Sequence, residues 1–167
     1  SMQTSQNPDD SSSDIRPPTP RPADHFGIIK AARAMMGARP ASSASEASRA
    51  KYQAEALRLF DRRNEHDGDI WKAAANTTSV ATWFKRRASI QSLAWAQIEE
   101  ILKRQDQIQR SLRGVPESDP RWKEWRTMVS GLHFWTDTLQ RMPTGAPLNE
   151  RKRRTSKRRL GAVPADW

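Results

Sequence analysis

NTTSVATWFKRRASIQSLAWAQIEEILKRQDQIQ, residues 76–109, carries the most regular apolar repeat in the chain, and its reading decides the fold. Val80, Trp83, Phe84, Ile90, Leu93, Ala94, Ile98, Ile101, Leu102 and Ile108 recur in steps of three and four, which puts them on one broad stripe of a long helix. The run Asn76-Thr77-Thr78-Ser79 offers side-chain oxygens to the unpaired N–H groups of a first turn, so the helix should begin there.

Lys85, Arg86 and Arg87 then stand within two turns of that start, where the helix dipole is positive and acidic side chains are favoured. A negative partner is therefore expected. A phosphate would fit, because free N–H groups, the dipole and the basic side chains all draw an anion to a helix N-terminus. Solvation of an exposed face, or pairing with a neighbouring carboxylate, is the alternative. Thr77, Thr78, Lys85, Arg86 and Arg87 form the first group of candidate contacts.

Working back toward the start, residues 1–23 contain SSSD and RPPTPRP, a mixture too poor in apolar side chains to offset its ordering entropy. They read as a disordered arm. Its PxxP-like spacing suits a linker, with a ligand for a proline-recognising domain as the lesser reading. Asp24 can cap a short helix over HFGIIKAARAMMG, with Phe26, Ile29, Ala32 and Met36 at helical spacing and Gly37 as its stop. That helix could dock on the domain or on a partner. Residues 39–44 read as a linker, and Ser43 with Glu46 has the form of a capping box. The next helix should run to about Arg63 with Ala47, Ala50, Ala54, Leu57 and Phe60 inward and Tyr52 at the edge of the stripe. Residues 64–68 break it, and Asp69 can cap a brief helix through Ile70, Trp71 and Ala74.

Working forward, GVPES at 114–118 reads as a connection, and Asp119-Pro120 as an N-cap followed by proline at the first helical position. Trp122, Trp125, Val129, Leu132, Trp135 and Leu139 make the stripe of the helix that follows, and Pro143 ends it. Large aromatics at this spacing belong to a core rather than to a stacking platform. No β-branched alternating run occurs in the sequence, so the fold class is all-α: a compact helical bundle of about four to five helices with short antiparallel connections, spanning residues 45–142. Residues 143–167 read as a basic linker leading into the start of a following domain. Here Arg151, Lys152, Arg153, Arg154, Lys157, Arg158 and Arg159 form the densest cationic run. Such a run binds nucleic-acid backbone with steep salt dependence; a solvated tail or a nuclear-import signal would use the same residues.

The 167 residues suffice for one domain with a real core. Lys and Arg number 29 against 19 Asp and Glu, a net charge of +10. The excess grows along the chain: residues 1–75 hold 11 basic and 10 acidic groups, residues 76–141 hold 11 and 7, and residues 142–167 hold 7 and 2. That asymmetry points to a polyanionic partner met by the later part of the chain. The absence of cysteine excludes disulfides, thiol chemistry and Cys-based zinc sites, and suits a reducing interior such as the cytoplasm. No apolar run reaches the roughly 18 residues of a spanning helix, and no secretion signal is visible, so no membrane is expected. His25, His66 and His133 fall in different segments with no metal or acid/base spacing. There is no phosphate-binding glycine loop, dinucleotide fingerprint or nucleophile elbow. The chain reads as non-catalytic, with no cofactor, metal or small-molecule substrate. Ser1-Met2 looks like the scar of a cleaved tag, and the whole like a fragment of something longer.

Residues 76–109 resemble the helix of the N-terminal, core-binding domain of tyrosine site-specific recombinases, the phage integrase family. That helix opens with an Asn-Thr-like start, a capping Thr, a Tyr four residues on, a Leu four later and a Phe three beyond. Ser79, Trp83, Arg87 and Ile90 stand at those positions, Arg87 in place of an apolar residue. The tail KRRTSKRRLGAVPADW is similar to the basic linker ahead of the catalytic domain in large integrases, and the likeness covers roughly residues 45–167. It implies a helical module gripping one face of double-stranded DNA, bacterial and nucleoid-associated, with other recombinase copies as further partners in a synaptic complex. The nucleophilic tyrosine and its arginines would lie in a domain beyond this chain. A helical protein-interaction module, with the Phe26–Met36 helix and the tryptophan stripe docking on another protein, is the rival reading.

Overall fold

A computed structural model describes residues 24–42 and 44–147. Five α-helices occur among the described residues: α1 (His25–Gly37), α2 (Glu46–Asp61), α3 (Ile70–Ala74), α4 (Val80–Ser111) and α5 (Trp122–Gln140). A 3₁₀ segment, Arg63–His66, follows α2, and no strand is present among the described residues. The fold is therefore an all-α bundle. The arm 1–23, Ser43 and the run 148–167 lie outside the described residues.

The long repeat forms α4, which packs against α1, α2 and α5 and carries the centre of the core. At 32 residues and 1.5 Å of rise each, it spans about 48 Å. Trp83, Ile90, Leu93, Ala94 and Ile98 are buried on it, against Val129, Leu132, Trp125 and Trp135 of α5, Ala56 and Leu59 of α2, and Ile29 and Ala32 of α1. Phe84 is the exception to the expected stripe: it is 45% exposed. It lies one position, about 100° of helical turn, from Trp83. Here the indole lies in the core and the phenyl ring at its edge.

The tryptophans of α5 are core, as their spacing predicts, and the indole N–H of Trp122, of Trp125 and of Trp71 in α3 finds a carbonyl or amide oxygen. Trp122 Nε1 donates to Val115 O at 2.9 Å, Trp125 Nε1 to Gln105 Oε1 at 3.1 Å, and Trp71 Nε1 to Thr138 O at 2.9 Å. Phe60 of α2 stacks on Trp135 with ring centroids 5.3 Å apart.

Four expectations about helix ends and faces are corrected. The α2 helix is capped by Ser45, whose Oγ accepts from Ser48 N at 3.1 Å; Ser43 lies outside the described residues. Its inward face is not the alanine stripe: Ala47, Ala50, Ala54 and Leu57 are exposed, while Tyr52, Gln53, Ala56, Leu59, Phe60 and Arg63 turn inward to varying degree. Ala56, Leu59 and Phe60, with the stems of Arg49 and Arg63, form the inward face instead. Helix α5 starts at Trp122 rather than at Pro120. Its approach is a tighter turn, with Trp122 N donating to Asp119 O and Lys123 N to Pro120 O, and the Asp119 carboxylate accepts from Arg121 N at 2.9 Å. Of the other caps, Ser79 Oγ accepts from Thr82 N at 3.1 Å and Asp69 Oδ1 from Trp71 N at 2.9 Å. Asp24 precedes α1 without a side-chain capping bond. In α1 it is Ile29, Ala32 and His25 that are buried, while Phe26 stands 47% exposed, so this helix docks on α4 and α5 of its own chain.

Candidate nucleic-acid interface

The N-terminal turns of α4 are built from a polar lead-in and a cationic second turn. Thr77 Oγ1 accepts from Ser79 N at 3.1 Å and Ser79 caps the helix, so Thr77 is spent on shaping the turn. Thr78 is half-buried beside it. No acidic residue falls in the first turn.

The three cations beyond it have separate fates. Arg86 points back under α3: its guanidinium donates to Ala74 O at 3.1 Å and to Asn76 O at 3.4 Å, while Nε is buried without a partner. Ala74 is the last residue of α3, where carbonyls have no partner within the helix and carry the negative end of its dipole. Arg87 Nε donates to Pro143 O at 2.7 Å, in the segment that leaves α5. Lys85 is exposed, and no ion pair joins any of the three to a carboxylate among the described residues. The negative partner expected near the helix start is thus, for two of the three, a set of backbone carbonyls.

Trp83 adds a second tie. It is fully buried, and its Nε1 donates to Gly145 O at 2.9 Å. Together Trp83 and Arg87 hold residues 143–145 along the first turns of α4, which also fixes α5 antiparallel to α4. The described residues end at 147, two beyond Gly145, and on α4 both Phe84 and Lys85 are exposed. Arg151, Lys152, Arg153, Arg154, Lys157, Arg158 and Arg159 lie outside the described residues. Reading the sequence missed both ties, since their acceptors are main-chain carbonyls that no side chain announces.

Several other surface cations are paired with carboxylates. Arg39 pairs with Glu99 at 3.0 Å, Lys72 with Asp67 at 2.6 Å, Arg121 with Asp119 at 3.0 Å, and Arg141 with Asp137 at 2.7 Å. No cluster of His, Asp or Glu among the described residues is arranged to hold a metal ion. No helix among them is long and apolar enough to cross a membrane. Comparison with protein-family models, with curated proteins and with solved structures finds no match for this chain.

Proposed function

We propose that the protein is a double-stranded-DNA-binding helical module, non-catalytic in itself, of the kind that a recombinase core-binding domain exemplifies. The observation that carries the reading is the anchoring of residues 143–145 by Arg87 and Trp83. It ties residues 143–145, which lead into the cationic run, to the first turns of a helix that has no acidic residue in its first turn and on which Lys85 is exposed. Chain reach of about 3.5 Å per residue keeps Arg151 within about 20 Å of Gly145, so the two cationic groups can share one duplex. Lys85, the free donors of Arg87 and the run at 151–159 would meet phosphates, Thr78 would lie at the edge of the contact, and Arg86 would hold the helix start in place from beneath.

The test is a titration of the full chain with duplex DNA at several salt concentrations. Replacing the seven cations of the 151–159 run by Gln should weaken binding and flatten its salt slope, and Lys85→Gln should flatten it by about one further unit. Binding that is absent in the parent, or equal in parent and variants, contradicts the reading. Arg86 and Arg87 are poor probes here because their loss also strips partners from buried carbonyls.

A further inference from the structure

A second concave surface lies at the far end of α4. The outer face of α1, the last turn of α4 and the connection to α5 enclose an open cleft of about 530 Å³. Its floor is apolar, with Ile29 and Leu112 buried and Phe26 exposed at the rim. The walls are mainly cationic. Arg33 pairs with Asp106, but Lys30, Arg110 and Arg113 are exposed and make no ion pair or side-chain hydrogen bond with any described residue. With Glu117 as the only other acid in the lining, the cleft keeps a net positive charge.

A cationic wall over an apolar floor selects a ligand that is both acidic and apolar; a nucleic-acid backbone offers the first property without the second. The chain itself contains such a segment. Residues 9–15, DDSSSDI, bring Asp9, Asp10 and Asp14 together with Ile15. They precede α1, whose first turn already lines the cleft at Phe26. The link of residues 16–23 reaches up to about 30 Å, enough to double back along a 13-residue helix of about 20 Å. Tethering through a link this short gives an effective concentration of roughly millimolar order, so even weak complementarity would hold.

We propose that residues 9–15 dock in this cleft, Ile15 against Ile29 and Leu112 and the three aspartates among Lys30, Arg110 and Arg113. Arg110 lies 25 residues along α4 from Lys85, about 38 Å at 1.5 Å per residue, so the docking surface and the DNA track are separate and each stands or falls alone.

The chain has no cysteine, so Ser12→Cys gives a single site for a nitroxide label. In the full chain at low salt, the amide signals of Lys30, Arg110, Arg113 and Gly114 should lose intensity by more than about twofold relative to the reduced label, as a tethered segment at high local concentration requires. The loss should vanish at about 1 M salt, where charges are screened beyond roughly 3 Å. It should also vanish in Asp9→Asn/Asp10→Asn/Asp14→Asn, which leaves every described residue unaltered, and in Lys30→Gln/Arg110→Gln/Arg113→Gln, whose fold is verified by unchanged amide dispersion. Unaffected cleft signals at low salt overturn the proposal. So does broadening centred on Lys85, or broadening that persists in either triple variant.

Discussion

A guanidinium set against a helix C-terminus satisfies carbonyls that the helix leaves unpaired, and it meets the negative end of the dipole. Arg86 does this for α3, and Arg87 does the equivalent for the segment leaving α5. Gln105 performs the complementary task at the other end of α4. It is completely buried, its Oε1 accepts from Trp125 Nε1, and its Nε2 donates to Asp106 at 2.6 Å. Gln105→Leu keeps the volume but leaves the indole N–H buried without an acceptor. It should destabilise the fold by about 1–3 kcal/mol, read as a lowered urea midpoint; a parent-like midpoint would show that water or a rearranged side chain serves Trp125. None of these polar roles was legible beforehand. Residue type announces a donor, but only the packed partner tells where it points.

Among the elements, α4 and α5 were readable because large side chains repeat at helical spacing: Ile90, Leu93 and Ile98 on one, Trp122, Trp125, Leu132 and Trp135 on the other. The face of α2 was not. Ala47, Ala50 and Ala54 repeat with the right period but are exposed, and the face with Ala56, Leu59 and Phe60 turns inward. The start of α5 was half readable, since Asp119 supplies its acceptor but to a turn that precedes the helix proper. Hydrogen bonds from the Arg121 side chain, and then from its backbone N–H, hold the Asp119 carboxyl below its ordinary 3.8. A carboxyl lowered in the folded state stabilises it above the unfolded value and loses that contribution as pH falls through the lower, folded one. Asp119→Asn should therefore flatten the fall of the thermal midpoint below about pH 4, modestly because the group is fully exposed. Identical acid limbs for variant and parent would deny Asp119 that role.

At the scale of the molecule, helical periodicity announced the all-α class and composition a basic chain, and the bundle among the described residues is all-α. What could not be read was the return of residues 143–145 onto α4 or the closure of α1 over α4 and α5. Both depend on contacts between segments far apart in sequence, such as Trp83 with Gly145 and Arg33 with Asp106. The first of these ties residues 143–145 to the start of α4, and the proposed DNA reading rests on that tie. The direct measurement is an amide footprint of the full chain on a short duplex at low salt. Perturbed signals should gather at residues 78–87 and 143–147 and fade together as salt rises. Perturbation confined to the run at 151–159, with the start of α4 silent, would contradict a shared track and leave the tail as an isolated polycation.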